Sequence, residues 1–461
     1  MSRGGRLSGC AAWLAPFAAL ALCGIAGCDS RRPARVRPDV LLLVVDTLRA
    51  SHLGLYGYPR DTSPALDRLA SESTVFDEVV AASSWTLPSV GSLLTSTYPS
   101  VHGLTARFEN RKVMSIRPGL DSLPQAFRDA GYRTAAVITN PWMNTADHGL
   151  QEGFDDYRDM TGASAEAVNA LAREILSRDD PAPVFLYLHY MDVHGPYDAV
   201  ARTGRDLGPV PAAYRRSLTK AEDRALPPYL RRPQLRDLGD YVDAYDHGIR
   251  AWDDALAHLV DWLRAEGRID RVVISVLSDH GEEFLEHGGW NHGKTVYQEQ
   301  LSIPWILRVP GSPSRRVDDR VVSLIDVAPT LLALAGVPPG SRMSGVDVLA
   351  ASPDEEPRSI LAETGIRLGG VPDESNRAVS IQRGHQKMIV KGSRSFCFDL
   401  ERDPRELDPI AGEEPCDGAA FAALEAWRRD AVRAAEGLGE ASAKELPADQ
   451  AEALRRLGYG E

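Results

Sequence analysis

The chain has 461 residues, enough for one large α/β domain and a smaller one. Its 52 Lys and Arg are outnumbered by 65 Asp and Glu, for a formal net charge of −13. That acidity argues against general nucleic-acid binding, and an anionic substrate would have to find local positive charge on a metal, histidine or lysine.

In chain order, Arg3 and Arg6 precede an apolar run over residues 11–26 that closes on Ile25-Ala26-Gly27-Cys28. The charge, length and small residues read as an export leader. The small residues before Cys28 resemble a bacterial lipobox. That implies a leader over 1–27, lipidation of Cys28 and a tether to a bacterial membrane, in the periplasm or at the cell surface. Residues 28–38, with Arg31, Arg32, Arg35 and Arg37, read as a short basic tether. No later segment is long and apolar enough to span a bilayer. Of five cysteines, only Cys397 and Cys416 lie beyond this region. They form one disulfide in an oxidising compartment or remain two buried thiols.

Three continuous apolar runs, the pattern of strands buried on both faces, end in metal-type ligands. Residues 39–45 end in Asp46, residues 184–188 run into His189, Asp192 and His194, and residues 271–278 run into Asp279-His280. Helical stretches intervene, at 165–176 and 245–266. The alternation predicts an α/β fold with a mostly parallel sheet sandwiched by helices and ligands gathered at its carboxyl edge. Residues 202–236 are rich in Pro and Arg and read as an insertion. Pro353 to Pro357 marks a boundary, dividing 39–350 from 351–461.

Between the first two runs lies Ser84-Trp85-Thr86-Leu87-Pro88-Ser89-Val90, followed by Gly91-Ser92-Leu93-Leu94-Thr95. Pro88 suits a first helical turn, and residues 89–95 read as a helix. Thr86 reads locally as its N-cap, with its hydroxyl at the positive end of the helix dipole, where phosphate or sulfate binds well.

The whole set resembles the sulfatase family of the alkaline phosphatase superfamily. The carriers are Asp46-Thr47-Leu48-Arg49 with Tyr56-Gly57-Tyr58, the 84–95 segment, Asp279-His280-Gly281 and His292-Gly293-Lys294. Ser323-Leu324-Ile325-Asp326, Phe398-Asp399-Leu400 with Asp403-Pro404-Arg405-Glu406, and Leu454-Arg455-Arg456-Leu457-Gly458-Tyr459 add to it. The resemblance implies an alkaline phosphatase-like fold with a smaller C-terminal α+β subdomain. It implies Thr86 as nucleophile, beside a divalent metal held by Asp46, Asp279, His280 and Thr86. Two positions depart from the family pattern: Val90 stands at its arginine, and Thr47 at its second aspartate. With few carboxylates, Zn²⁺ or Mn²⁺ suits the site better than Ca²⁺. Threonine cannot be oxidised to formylglycine, because its Cβ carries a methyl.

By the same resemblance His194, His292 and Lys294 contact the anionic ester substrate, and Asp192, His194 and His292 are ligands to a second metal or to substrate. His189 and His287 are expected to be supporting residues, and Glu282 and Glu283 acids at a helix N-terminus. The first functional expectation is a metal-dependent hydrolase of phosphate esters, diesters foremost. The alternatives are a sulfuric ester hydrolase without formylglycine, a phosphoethanolamine- or phosphoglycerol-type transferase, and an inactive surface-tethered binding protein.

Overall fold

The computed structural model describes residues 37–445, apart from 105, 108–111, 145–147, 199–203, 352–356, 365, 368–376 and 411–417. The leader, Cys28, most of the tether, Cys416 and the 454–459 motif lie outside the described residues.

The apolar runs become neighbouring strands of one sheet. Its strands are β1 (Asp39–Val45), β2 (Thr74–Val80), β3 (Arg133–Ile138), β4 (Asp156–Asp159), β5 (Val184–Tyr190), β6 (Val272–Leu277), β7 (Trp305–Arg308) and β8 (Arg315–Ser323). Their order is β8-β2-β7-β6-β1-β5-β3-β4. Only β7 runs against its neighbours. β1 is central, parallel to β5 on one side and β6 on the other, with Val44 level with His189 and Leu277. The carboxyl ends of the three ligand-bearing runs therefore meet.

Alternation along β1 explains its unbroken hydrophobicity. Val40, Leu42 and Val44 pack into one core with residues of α1 (Thr86–Thr95) and α4 (Val327–Leu334). Leu41, Leu43 and Val45 pack into a second core with α2 (Ala165–Leu176) and α3 (Leu238–Ala265). Both faces of the sheet are covered by helices, so both must be apolar.

The expected helix over 165–176 matches α2. The helix expected over 245–266 starts earlier, at Leu238, because Asp237 and Asp240 form a capping box there. The insertion contains short helical turns at Ala212–Tyr214, Lys220–Ala225 and Pro228–Leu230. Towards the C-terminus, strands Ile360–Glu363, Ala378–Arg383, Gln386–Lys391 and Arg394–Asp399 form a separate antiparallel sheet. A helix over Gly418–Ala435 packs on it through Leu424 and Trp427. Cys397 is in a disulfide. No described helix is long and apolar enough to cross a membrane.

Candidate functional site

Asp46 leaves the end of β1, and its backbone N–H still bonds to Tyr190 of β5. Asp279 and His280 leave the end of β6. Gly281 follows because a Cβ there would lie 2.2 Å from the Glu299 carbonyl oxygen. Among the described residues, Asp46, Asp279 and His280 are the one group of three or more His, Cys, Asp or Glu whose ligand atoms converge within 4.8 Å.

All three side chains are fully buried. Asp46 Oδ2 accepts from Asn140 Nδ2 at 2.7 Å and lies 3.1 Å from His189 Nε2. Asp279 Oδ1 accepts the N–H groups of Thr47 and His280. The other oxygens, Asp46 Oδ1 and Asp279 Oδ2, have no hydrogen-bond partner. They lie 3.6 and 3.4 Å from His280 Nε2. His280 Nδ1 is 2.9 Å from the Gly281 carbonyl, which only accepts, so Nδ1 carries the proton and Nε2 presents its lone pair. Two orphaned carboxylate oxygens and His280 Nε2 converge in this buried space. That donor set fits a divalent cation.

Electrostatics agree. Burial works against ionisation of Asp46, but the His189 hydrogen bond and the charges of His194 and His280 hold its pKa well below the usual range. Burial and then the negative charge of Asp46 push the Asp279 carboxyl well up. A cation between them would relieve that repulsion.

Thr86 is brought to this cluster. Its Oγ1 lies 3.3 Å from His280 Nε2 and 3.4 Å from Asp46 Oδ2, with no exposure. Thr86 is not the N-cap, as the sequence suggested: Trp85 holds that position in an extended conformation, and the helix begins at Thr86. Ser89, in the first turn, donates to the Asp279 carbonyl at 2.6 Å and ties α1 to the loop after β6. Val90 is fully buried in the core. Thr47, in a left-handed conformation, turns its hydroxyl onto the Asp46 carbonyl.

The histidines form a second layer. The ring centroids of His280 and His292 are 4.4 Å apart, and those of His292 and His194 are 5.1 Å apart. Burial first, then the charges of His280 and His194, push the His292 pKa well down. Lys294 is exposed beside this layer, and Asp192 is half-buried and is no member of the converging group. His189 stands on β5 between the Tyr187 hydroxyl at 2.9 Å and Asp46 at 3.1 Å.

Glu282 and Glu283 do not head a helix. Glu283–Phe284 is a short strand paired with Trp290–Asn291. Glu282 is buried; its Oε1 is 2.9 Å from His292 Nδ1, and its Oε2 accepts from the Tyr197 hydroxyl at 2.9 Å. Burial, partly offset by His194 and Tyr197, raises its pKa to about 7. Sequence reasoning missed this role because an acid after His-Gly looks like a helix-terminal charge. It also missed Asn140, whose signal was present: β3 is an apolar run that ends in Thr139-Asn140.

The chain matches the family model Sulfatase over residues 38–337, and a model described as N-sulphoglucosamine sulphohydrolase, C-terminal, over residues 286–420. It is 26% identical to the phosphatidylethanolamine transferase Mcr-1 of Escherichia coli over 336 residues, 67% of this chain and 56% of that protein. It is 27% identical to the N-acetylgalactosamine-6-sulfatase of Homo sapiens over 349 residues, 68% of this chain and 65% of that protein. The matched region thus spans little more than half the length of these relatives. A protein solved with its substrate D-glucosamine-2-N,6-O-disulfate superposes with TM-score 0.69 at 18% identity, covering 87% of this chain and 99% of that one. The phosphonate monoester hydrolase of Agrobacterium radiobacter superposes with TM-score 0.67 at 18% identity, covering 89% and 97%. These structures share the fold. The family match covers well over half of the sequence and takes in β1, α1 and the loop after β6, and on that ground the chain belongs to the sulfatase family.

Proposed function

We propose that the protein is a metal-dependent ester hydrolase acting on phosphate esters, diesters foremost, or on sulfate esters, through Thr86 and a covalent threonine intermediate. The observation that carries this reading is the buried Thr86 hydroxyl, within 3.3–3.4 Å of His280 and Asp46. In this reading Asp46, Asp279, His280 and Thr86 hold the cation. Two carboxylates, an imidazole and a hydroxyl favour Zn²⁺ or Mn²⁺ over Ca²⁺, which takes six to eight oxygens. Bound there, the cation supplies Lewis acidity at the nucleophile and the ester.

The Thr86 hydroxyl gives its proton toward Asp46 Oδ2, its acceptor at 3.4 Å, as Oγ1 attacks the central atom in line, and the leaving oxygen departs on the far side. His194, His292 and Lys294 line the remaining oxygens, Lys294 offsets their charge, and His194 or Lys294 delivers a proton to the leaving oxygen. Glu282 holds His292 in one orientation throughout. Water then cleaves the threonine ester and regenerates the hydroxyl. Phosphate is the better fit of the two centres. A formylglycine hydrate expels sulfate by elimination, whereas a sulfated threonine must be cleaved by direct attack. A transferase is the second reading, favoured by the likeness to phosphatidylethanolamine transferases. There an alcohol replaces water in the second step. Export and lipid anchoring through Cys28 complete the reading, supported by Ile25-Ala26-Gly27-Cys28.

The test uses the body after Cys28 loaded with Zn²⁺ or Mn²⁺, beside Thr86→Ala. One aryl leaving group is offered as phosphodiester, phosphomonoester and sulfate, with and without an alcohol acceptor. Dominant phosphodiester turnover that vanishes in Thr86→Ala is the expected result. Activity that survives without Thr86 would overturn the nucleophile assignment.

A further inference from the structure

We infer that Tyr229, carried by the insertion, donates a hydrogen bond from its phenol to an oxygen of the bound anionic ester. This rests on the reading above, in which His194 and His292 face that ester. The inner end of the insertion is buried: Leu230 is 1% exposed and Tyr229 9%. Three bonds pin the insertion and its flank to the loops around the site. Trp290 Nε1 donates to the Glu222 carbonyl at 3.1 Å, Tyr214 donates to Glu286 at 2.9 Å, and Arg232 pairs with Asp198 at 2.9 Å.

Tyr229 is held from two sides. On one, its ring packs against Gly195, the residue after His194. A Cβ on Gly195 would lie 2.4 Å from Leu230 Cδ2 and 3.4 Å from Tyr229 Cε2, so the insertion lies directly on this residue. On the other, Asn291 Nδ2 donates to the Tyr229 hydroxyl oxygen at 2.7 Å. Asn291 precedes His292 and holds a left-handed conformation, with φ 75°. Its Oδ1 accepts the His292 N–H at 2.5 Å, which fixes the amide so that Nδ2 must be the donor. Tyr229 thus bridges the neighbours of both substrate-facing histidines.

The phenol oxygen accepts in this arrangement, and its O–H finds no acceptor among the described residues. Burial and then the charge of Glu282 push its pKa well up, so the proton stays. A buried donor without an acceptor is costly. An oxyanion ester supplies the missing acceptor. The bond places a group from the insertion, outside the metal-type cluster, on the substrate.

Tyr229→Phe keeps the ring and its packing and removes only the hydroxyl. The metal-loaded protein is compared with this variant for aryl phosphodiester turnover, for orthovanadate affinity and for melting temperature. The expected result is about a tenfold or greater loss in both kcat/KM and vanadate affinity, with the melting temperature unchanged. If the wild type turns over and binds vanadate while Tyr229→Phe stays within about twofold on both, the inference falls and the proposed function stands. If Tyr229→Phe loses affinity only alongside a matching drop in melting temperature, Tyr229 is a packing residue and the inference also falls. A wild type that neither turns over nor binds vanadate overturns the underlying reading instead.

Discussion

Lys387 and Glu406 form a charge pair at the join between the antiparallel sheet and the loop that carries His292. Nζ and Oε1 are 2.8 Å apart, and the side chains are 1% and 0% exposed. The contact is too oblique for a well-formed hydrogen bond, so its strength is that of charge. Glu406 Oε2 accepts the Gln298 N–H at 2.6 Å, and its carbonyl lies 3.0 Å from His287 Nε2. One residue of the C-terminal region therefore holds both ends of the 287–298 loop. At an effective dielectric of about 20, the Coulomb attraction at this distance is on the order of 6 kcal/mol, much of it offset by desolvation of two ions. Removing either partner strands the other charge. Lys387→Met and Glu406→Gln are each expected to cost about 3–5 kcal/mol. The double variant is expected to recover much of that, with a coupling energy of about 2 kcal/mol or more. Urea denaturation of the four proteins at neutral pH, followed by tryptophan fluorescence, measures the cycle. Single variants that cost under about 1 kcal/mol, or losses that simply add, would refute the argument.

The site yields further expectations. Asp279→Asn is expected to lower tightly bound metal at least about tenfold, read by elemental analysis of the purified chain. Glu282→Gln is expected to lower kcat by about 10- to 100-fold while the melting temperature holds, because it loosens the imidazole it orients. His287 gives a pH signature. Burial opposes its charge, but the Glu299 carboxylate at 2.8 Å and the Glu406 carbonyl outweigh it and raise the pKa from 6.5 to about 9. Its stabilisation is fully present below pH 6.5 and is lost as pH rises through about 9. The melting temperature of His287→Gln should therefore fall less than that of wild type across this window.

What the sequence made legible follows from how each feature is encoded. β1, β5 and β6 are buried on both faces, so they appear as unbroken apolar runs with their ligands at the ends. The other five strands of the sheet were not foreseen: β8, for example, is half exposed, with a polar Arg315–Ser323 sequence, and β7 is only four residues long. Asp46, Asp279 and His280 were legible because charged side chains at the ends of buried strands need a reason to be there. Glu282, Asn140 and Tyr229 were not. Each meets its partner from a distant part of the chain or from another loop, and a pairing of that kind leaves no local period.

Thr86 shows how a small error in local reading changes the chemistry. As an N-cap, its hydroxyl would accept a hydrogen bond from the first turn and be committed to the backbone. The structure moves the cap back one residue, to Trp85, and starts the helix at Thr86. The hydroxyl is then no longer engaged by α1 and instead meets Asp46 and His280. The backbone N–H groups of that first turn still lie beside it, at the positive end of the helix. Serine would supply the same hydroxyl with an extra rotamer to lose. The γ-methyl of threonine restricts χ1 and holds the oxygen toward Asp46 and His280. In the reaction proposed above, a nucleophile that need not become an aldehyde gains from that restriction, which a residue destined for formylglycine cannot use.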